Sequence, residues 1–228
     1  MDTDQAGAGR PTAPDPEELR LLADQLSRMR GMLFGYSERF FERIRTYLVL
    51  TLALLVIAGA GIFPEAVYAV PFLVPFAFLE TGYLFYYTVF ARRHAEYLEQ
   101  AINARFGRDV LVAHRLEAAY FYPPDAPKIA AMSLGNPLGM MSAVTLGYSL
   151  GAALLWLAGF SGTVVLVQGG AGPTVLGVDT SVLLPLVQLL WTIAIAGHLV
   201  YSFLARRDEK KLLAELERSY RPSTGPSR

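Results

Sequence analysis

The amino-acid sequence predicts an all-α integral membrane protein with four transmembrane helices and both termini in the cytoplasm. Three observations predict this fold class. Hydrophobic residues make up 53% of the 228 residues and charged residues only 18%, whereas soluble domains carry about 25% charged residues. Four segments are long and apolar enough to cross a bilayer. All twenty Lys and Arg residues lie outside these segments, in regions that a four-span topology puts on one side.

The chain begins with an acidic tail, residues 1–15, which is rich in Ala, Gly and Pro and is expected to be disordered. The tail lacks the basic start and apolar stretch of a cleaved signal peptide. A cytoplasmic amphipathic helix is predicted over 16–45, with Asp15 as its cap and Pro16 in its first turn. No proline separates this helix from the first span, so one continuous helix is expected. Its apolar residues form a heptad seam, which is typical of a coiled coil: Leu19, Leu22, Leu26, Met29, Leu33, Tyr36 and Phe40.

A bilayer core of about 30 Å requires roughly 20 apolar residues in a helix that rises about 1.5 Å per residue. Four segments meet this requirement and are predicted as spans one to four: 46–64, 66–91, 140–167 and 181–205. Span two contains one charged residue, Glu80, and span four contains one histidine, His198. A soluble protein with four such helices would need a far larger polar shell than this chain has.

The distribution of Lys and Arg predicts how the spans are oriented. The connections between spans one and two and between spans three and four contain neither residue. Because cytoplasmic loops are enriched in Lys and Arg, both termini are expected on the cytoplasmic side of the cell (inner) membrane. The basic residues nearest the spans are expected to contact lipid headgroups: Arg45, Arg92, Arg93, Arg206 and Arg207.

The helices of spans two and four are predicted to continue into the cytoplasm, within 92–139 and 206–228. Gly107 is the expected stop of the first extension. Each extension has an apolar stripe, formed by Leu98, Ile102 and Phe106 in one and by Leu212, Leu216 and Tyr220 in the other. These stripes either pack on each other within one subunit or assemble subunits into a homo-oligomer. Residues 128–138 either lie along the membrane interface or re-enter the membrane.

Glu80 lies near the middle of span two by residue count. An ionised carboxylate at the bilayer centre costs at least about 2.5 kcal/mol. Glu80 is therefore expected to stay protonated or to face water or a polar partner. Pro71 and Pro75 precede it and are expected to bend the helix. Two interpretations stay open: an ion or proton site, and a structural hydrogen bond between helices.

The residues that share the helical face or the expected depth of Glu80 complete the candidate ion or proton site. Tyr83 and Tyr87 follow Glu80 on one stripe of span two, whereas Gln188 and His198 lie at comparable depth in span four. The candidates are Glu80, Tyr83, Tyr87, Gln188 and His198.

The segment GYSLG, 147–151, matches two patterns. As a GxSxG motif it would make Ser149 the nucleophile of a hydrolase, but that motif needs a strand before it and a helix after it. As a small-xxx-small pattern it favours close helix packing, which suits its apolar surroundings better. The chain has no cysteine and no histidine spacing typical of metal ligands. No catalytic residue, metal site, cofactor or nucleic-acid partner is predicted.

Three functional hypotheses follow. The first is a non-enzymatic, homo-oligomeric membrane protein that forms a channel or transport path with Glu80 at mid-membrane. The second is a membrane scaffold or accessory subunit in which Glu80 is structural, with a soluble partner that the sequence does not identify. The third is an integral-membrane enzyme, which has least support because the cytoplasmic polar cluster of His94, Glu96, Glu99 and Asn103 is interpreted as a solvated helix face.

Overall fold

The computed structural model describes residues 15–121, 128–129, 132–133, 140–171, 174–175, 178–179, 181–205 and 207–220. Over these residues the chain is helical apart from short connections, such as 60–63 and 107–112, and two antiparallel pairs of two-residue strands, so the predicted all-α class is confirmed. The helices are α1 (Pro16–Gly59), α2 (Val70–Phe106), α3 (Ala113–Phe121), α4 (Met140–Leu166), α5 (Leu183–Ala205) and α6 (Arg207–Tyr220). A 3₁₀ helix, Pro64–Ala69, precedes α2, and a π-helical turn, Val167–Ala171, follows α4.

The strands flank α4 on both sides. In the first pair, β1 (Lys128–Ile129) faces β2 (Met132–Ser133), and in the second, β3 (Thr174–Val175) faces β4 (Val178–Asp179). The rest of 128–138 falls outside the described residues, so its placement along or within the membrane stays a prediction.

Helix α1 is 44 residues long and combines the predicted cytoplasmic helix with the helix of span one. The Asp15 side chain caps it by accepting the Glu17 N–H at 3.0 Å, and Pro16 occupies the first turn, as predicted. The helix ends at Gly59, before the predicted end of the span at residue 64. Gly61 has φ +71°, and this left-handed conformation, which favours glycine, turns the chain toward α2.

Three helical segments are long and apolar enough to cross a membrane: Pro64–Phe106, Leu146–Gly170 and Leu183–Ser202. They contain much of predicted spans two, three and four. The helical part of predicted span one, 46–59, has a length of roughly 21 Å. Span one therefore stays a prediction.

Helices α1 and α2 pack antiparallel along most of their lengths. The N-terminal half of α1 and the C-terminal half of α2 enclose a buried cluster of Leu22, Leu26, Ala95, Leu98 and Ile102. Partly buried side chains pack against it, namely Leu19, Met29, Leu111 and Tyr220. The heptad seam of α1 thus packs on α2 of the same chain, which agrees with the packing of stripes within one subunit. Helix α2 ends at Gly107, whose φ is +62°, as predicted.

Helix α4 crosses the start of α2 through two glycines. A Cβ atom on Gly159 would lie 2.4 Å from Val70 Cγ1, and one on Gly162 would lie 2.7 Å from Val67 Cγ2. Only glycine permits so close an approach of the backbone.

GYSLG makes no close helix contact within the described chain, and its packing against another helix stays a prediction. A Cβ atom on Gly147 or Gly151 would have no heavy atom within 4 Å, because the close approach to α2 is made two turns further along α4. Ser149 lies inside a continuous helix, Met140–Leu166. The strand–turn–helix context of a nucleophilic serine is therefore absent there.

Candidate functional site

The Glu80 carboxylate contacts two residues of α1. The Tyr47 hydroxyl donates a hydrogen bond to Glu80 Oε2, and Arg43 Nε lies 3.3 Å from Oε1. Arg43 and Tyr47 are four residues apart, so they lie on the same face of α1. The Glu80 side chain is 30% exposed. Both of its oxygens thus have a partner within the same chain.

The structure does not bring Gln188 or His198 to Glu80. Gln188 is fully buried and donates to Tyr68 O at 3.0 Å, and the His198 side chain is exposed. Leu199, the neighbour of His198, lies beside Gly82 of α2. Glu80 lies on the side of α2 that packs against α1, whereas α5 packs on another side.

Tyr83 and Tyr87 form an aromatic cluster with α1. Their hydroxyl oxygens are 2.7 Å apart, and the Tyr87 ring stacks on Tyr36 with 4.9 Å between ring centroids. Tyr83 is 60% exposed. The two tyrosines thus share the predicted stripe with Glu80, and their hydroxyl groups are hydrogen-bonded to each other.

Two side chains of α5 donate to backbone carbonyls at the proline-containing start of α2. Gln188 Nε2 bonds to Tyr68 O, and Trp191 Nε1 bonds to Phe72 O at 3.2 Å. Each carbonyl lies three residues before a proline, either Pro71 or Pro75. Proline lacks the N–H that would bond the carbonyl four residues earlier, and its ring disturbs the preceding turn, in which Tyr68 and Phe72 lie. Tyr68 O and Phe72 O accept donors from α5 in these disturbed turns.

This α2–α5 junction was missed from the sequence. Gln188 was considered with Glu80 because of its expected depth alone. The spacings in the sequence point to the junction: Gln188 and Trp191 are three residues apart, and Pro71 and Pro75 are four residues apart. Gln188 Nε2 also lies 3.4 Å from Thr163 Oγ1 of α4. The buried Gln188 Oε1 has no hydrogen-bond partner among the described residues.

The polar cluster of His94, Glu96, Glu99 and Asn103 holds α1, α2 and α3 together. Glu99 is only 4% exposed: Arg30 Nη2 of α1 donates to its Oε1, and the His114 backbone N–H of α3 donates to Oε2 at 3.0 Å. The interpretation of this cluster as a solvated helix face was wrong, because α1 and α3 cover this face of α2.

Asn103 and Glu96 extend the same network. Asn103 Oδ1 accepts the backbone N–H groups of Val110 and Leu111 at 2.9 and 2.8 Å, which fixes the chain between α2 and α3. Glu96 Oε1 lies 2.7 Å from His114 Nε2. Together with the contacts of Glu99, these bonds connect α1, α2 and α3. The polar side chains of the cluster thus hold the helices in place.

His94 connects α2 to α6. The Tyr220 hydroxyl donates to Gln25 Oε1 at 2.7 Å, so it accepts from His94 Nε2 at 2.9 Å. Burial lowers the pKa of His94 and raises the pKa of Tyr220, to which the nearby Tyr97 also contributes. His94 Nδ1 is buried without a partner among the described residues. The network is built for a neutral histidine.

The basic residues predicted at the headgroups differ in their surroundings. Arg92 Nε lies 3.4 Å from Glu117 Oε1, and Arg93 Nη1 lies 2.8 Å from Glu96 Oε2. Arg45 is exposed. Arg206 and the side chain of Arg207 fall outside the described part of the chain.

No family model, curated protein or solved structure matches this chain. The described residues contain no group of three or more His, Asp or Glu side chains that would hold a metal ion. The contacts at the Glu80 and Glu99 sites are charge-assisted hydrogen bonds between helices.

Proposed function

We propose that this chain is a non-enzymatic four-span membrane protein that acts as a scaffold or accessory subunit. The observation that carries this proposal is the pairing of both Glu80 oxygens with Arg43 and Tyr47. A carboxylate that lines an ion path has to exchange its partners for water and ions. Glu80 instead bridges two helices of its own chain, which supports the hypothesis in which it is structural.

The position of Glu80 along the chain supports the same role. The 3₁₀ helix from Pro64 rises about 2 Å per residue and α2 about 1.5 Å per residue, so Glu80 lies roughly 27 Å from Pro64. This distance approaches the full thickness of a bilayer core of about 30 Å. We therefore infer that Glu80 is near the cytoplasmic headgroups instead of mid-membrane, a depth that suits Arg43 and the exposed Tyr83.

The first span is part of this proposal. Its helix, 46–59, is shorter than a bilayer core, but Ile62 and Phe63 extend the apolar stretch and are largely exposed. With span one included, both termini are cytoplasmic by the distribution of Lys and Arg. Helix α1 then extends roughly 40 Å below Arg43, and with α2, α3 and α6 it forms a cytoplasmic bundle joined rigidly to the spans.

The second candidate is a homo-oligomeric channel, which the outer face of α1 favours. Phe34 is 81% exposed in the cytoplasmic half of α1. A Cβ atom on Gly31 or Gly35, beside it, would meet no heavy atom within 4 Å in the described chain. A second copy that packs on this face would place several spans around an axis.

The two candidates are distinguished by ion flux and particle mass. The scaffold predicts that reconstituted wild-type protein and Glu80→Gln give the same background flux in liposomes, while Glu80→Gln lowers the melting temperature. The channel predicts an oligomeric mass and a flux that Glu80→Gln abolishes. Glu42→Gln is the matched control, since Glu42 is exposed and directly precedes Arg43 on α1. A flux lost in Glu80→Gln and kept in Glu42→Gln would refute the scaffold.

The topology has its own test, because the chain has no cysteine. Single cysteines at Gly172 and Ser227 should react with a membrane-impermeant maleimide from opposite sides of the membrane. Labelling of both positions from one side contradicts the four-span arrangement.

A further inference from the structure

An apolar groove lies between α1, α2 and α5, at the depth that the proposed function assigns to the bilayer core. Its lining consists of Leu50, Leu54, Ala69, Phe72, Leu73, Phe76 and Trp191. Phe76 is 45% exposed and Leu50 44%, so the groove opens to the surroundings of the helices. The Trp191 indole N–H is bonded to Phe72 O, which leaves its ring as an apolar wall.

The Arg43–Glu80 pair lies at the cytoplasmic end of this groove. On α1, Tyr47 follows Arg43 by four residues and Leu50 follows Tyr47 by three, so the three side chains lie on one stripe. On α2, Glu80 follows Phe76 by four residues. The rings of Tyr47 and Phe76 are 6.4 Å apart between centroids. The groove therefore has an apolar body and a mouth with one positive and one negative group.

We propose that the groove binds one glycerophospholipid with a phosphoethanolamine headgroup. One acyl chain lies in the groove, the phosphate contacts Arg43, and the ammonium contacts Glu80. Arg43 reaches Glu80 through Nε and its side chain is 54% exposed, so its terminal nitrogens are placed to donate to a phosphate. A primary ammonium donates hydrogen bonds to a carboxylate.

The headgroup decides the selectivity of this site. Lipid tails are as apolar as the groove, so burial of an acyl chain gives little preference among lipids. A phosphocholine headgroup has no N–H to donate to Glu80. A phosphoglycerol headgroup brings its negative charge next to the Glu80 carboxylate without a compensating ammonium. The pair of opposite charges thus matches the phosphoethanolamine zwitterion.

Native mass spectrometry of the full-length chain tests this inference. Protein released from nanodiscs with equal amounts of phosphatidylethanolamine, phosphatidylcholine and phosphatidylglycerol of identical acyl chains should retain phosphatidylethanolamine preferentially. Arg43→Gln should reduce its retention about fivefold, the factor for about 1 kcal/mol of an exposed charged contact. Glu80→Gln should remove the preference over phosphatidylcholine. Arg28→Gln, at an exposed position of α1 about four turns from Arg43, should change neither.

A second variant avoids disturbing the Arg43–Glu80 pair. Ala69→Phe fills the groove from its exposed wall, and Val56→Phe, 68% exposed on α1 and outside the groove, is its control. Only Ala69→Phe should lose the retained lipid while the melting temperature is kept. Equal retention of the three lipids by the wild type, or retention unaffected by Ala69→Phe, would overturn the inference.

The inference rests on the proposed membrane topology, and the two fail separately. If cysteine labelling supports four spans but lipid retention is unselective, only the lipid site is refuted. If labelling contradicts four spans, the proposed function is refuted together with the depth of the groove.

Discussion

The Tyr47 hydroxyl of α1 donates a hydrogen bond to the Glu80 carboxylate of α2. This contact joins two helices across 33 residues of sequence and supplies the polar partner that Glu80 requires among apolar residues. Because Arg43 lies on the same face of α1, the carboxylate is held from both of its oxygens. The stability of the α1–α2 pair should therefore depend on this side-chain group.

Tyr47→Phe should destabilise the protein by about 1 kcal/mol, between the values for charged hydrogen bonds in water and interhelical bonds in membranes. The phenylalanine keeps the ring contact with Phe76, so the change isolates the hydroxyl. Denaturation in mixed micelles measures the effect. In the double variant Tyr47→Phe with Glu80→Gln, the loss of unfolding free energy should be smaller than the sum of the losses in the two single variants. Tyr83→Phe serves as the control. Additive losses would show that the Tyr47–Glu80 bond contributes nothing.

Glu99→Gln should destabilise the bundle of α1, α2, α3 and α6 by about 2 kcal/mol, because a buried carboxylate bonded to a charged group is lost. Arg30 is partly exposed, so water compensates some of its charge. Hydrogen exchange should show faster opening of α3, whose His114 N–H is bonded to Glu99. Glu38→Gln, an exposed position on α1, is the control. Equal exchange in the two variants would mean that Glu99 does not hold α3.

Acidic pH should weaken the attachment of α6. Burial lowers the pKa of His94, so the detached state takes up a proton at higher pH than the packed state. The stabilisation is complete above the ordinary histidine pKa of about 6.5 and is lost as pH falls below it. Trypsin should therefore cleave at Lys210 and Lys211 faster at pH 5.5 than the enzyme's own pH dependence explains.

His94→Gln is the control for this pH effect. The glutamine amide can still donate to the Tyr220 hydroxyl but does not titrate in this range. Comparison of the two proteins at each pH cancels the contributions of all other groups. The same pH dependence in His94→Gln and in the wild type would exclude His94 as its source.

Gly159→Ala should destabilise the membrane domain by about 1–3 kcal/mol through overpacking. Its Cβ atom would overlap the Val70 side chain of α2, at 2.4 Å from Cγ1. Gly151→Ala introduces the same atom in the same helix, two turns away, where no described atom lies within 4 Å. That control should be neutral or slightly stabilising. Thermal unfolding in detergent measures both, and equal melting temperatures would contradict the close α2–α4 contact.

The sequence by itself determined the helical character of the chain and several helix ends. The Asp15 cap, the stop at Gly107 and the apolar segments that contain α4, α5 and the first part of α2 were predicted because they depend on neighbouring residues and on helix periodicity. The heptad seam of α1 was recognised for the same reason, and periodicity defined which residues share its face.

Only the tertiary structure decided which faces meet. Glu80 pairs with Tyr47 instead of Gln188, Glu99 is buried instead of solvated, and Gly159 instead of Gly147 allows the close helix contact. Periodicity places residues on one face of a helix, but the neighbour that covers this face depends on the rotation and packing of helices far apart in sequence. Those long-range contacts are made only when the chain is folded, and they determine the partner of each buried polar group.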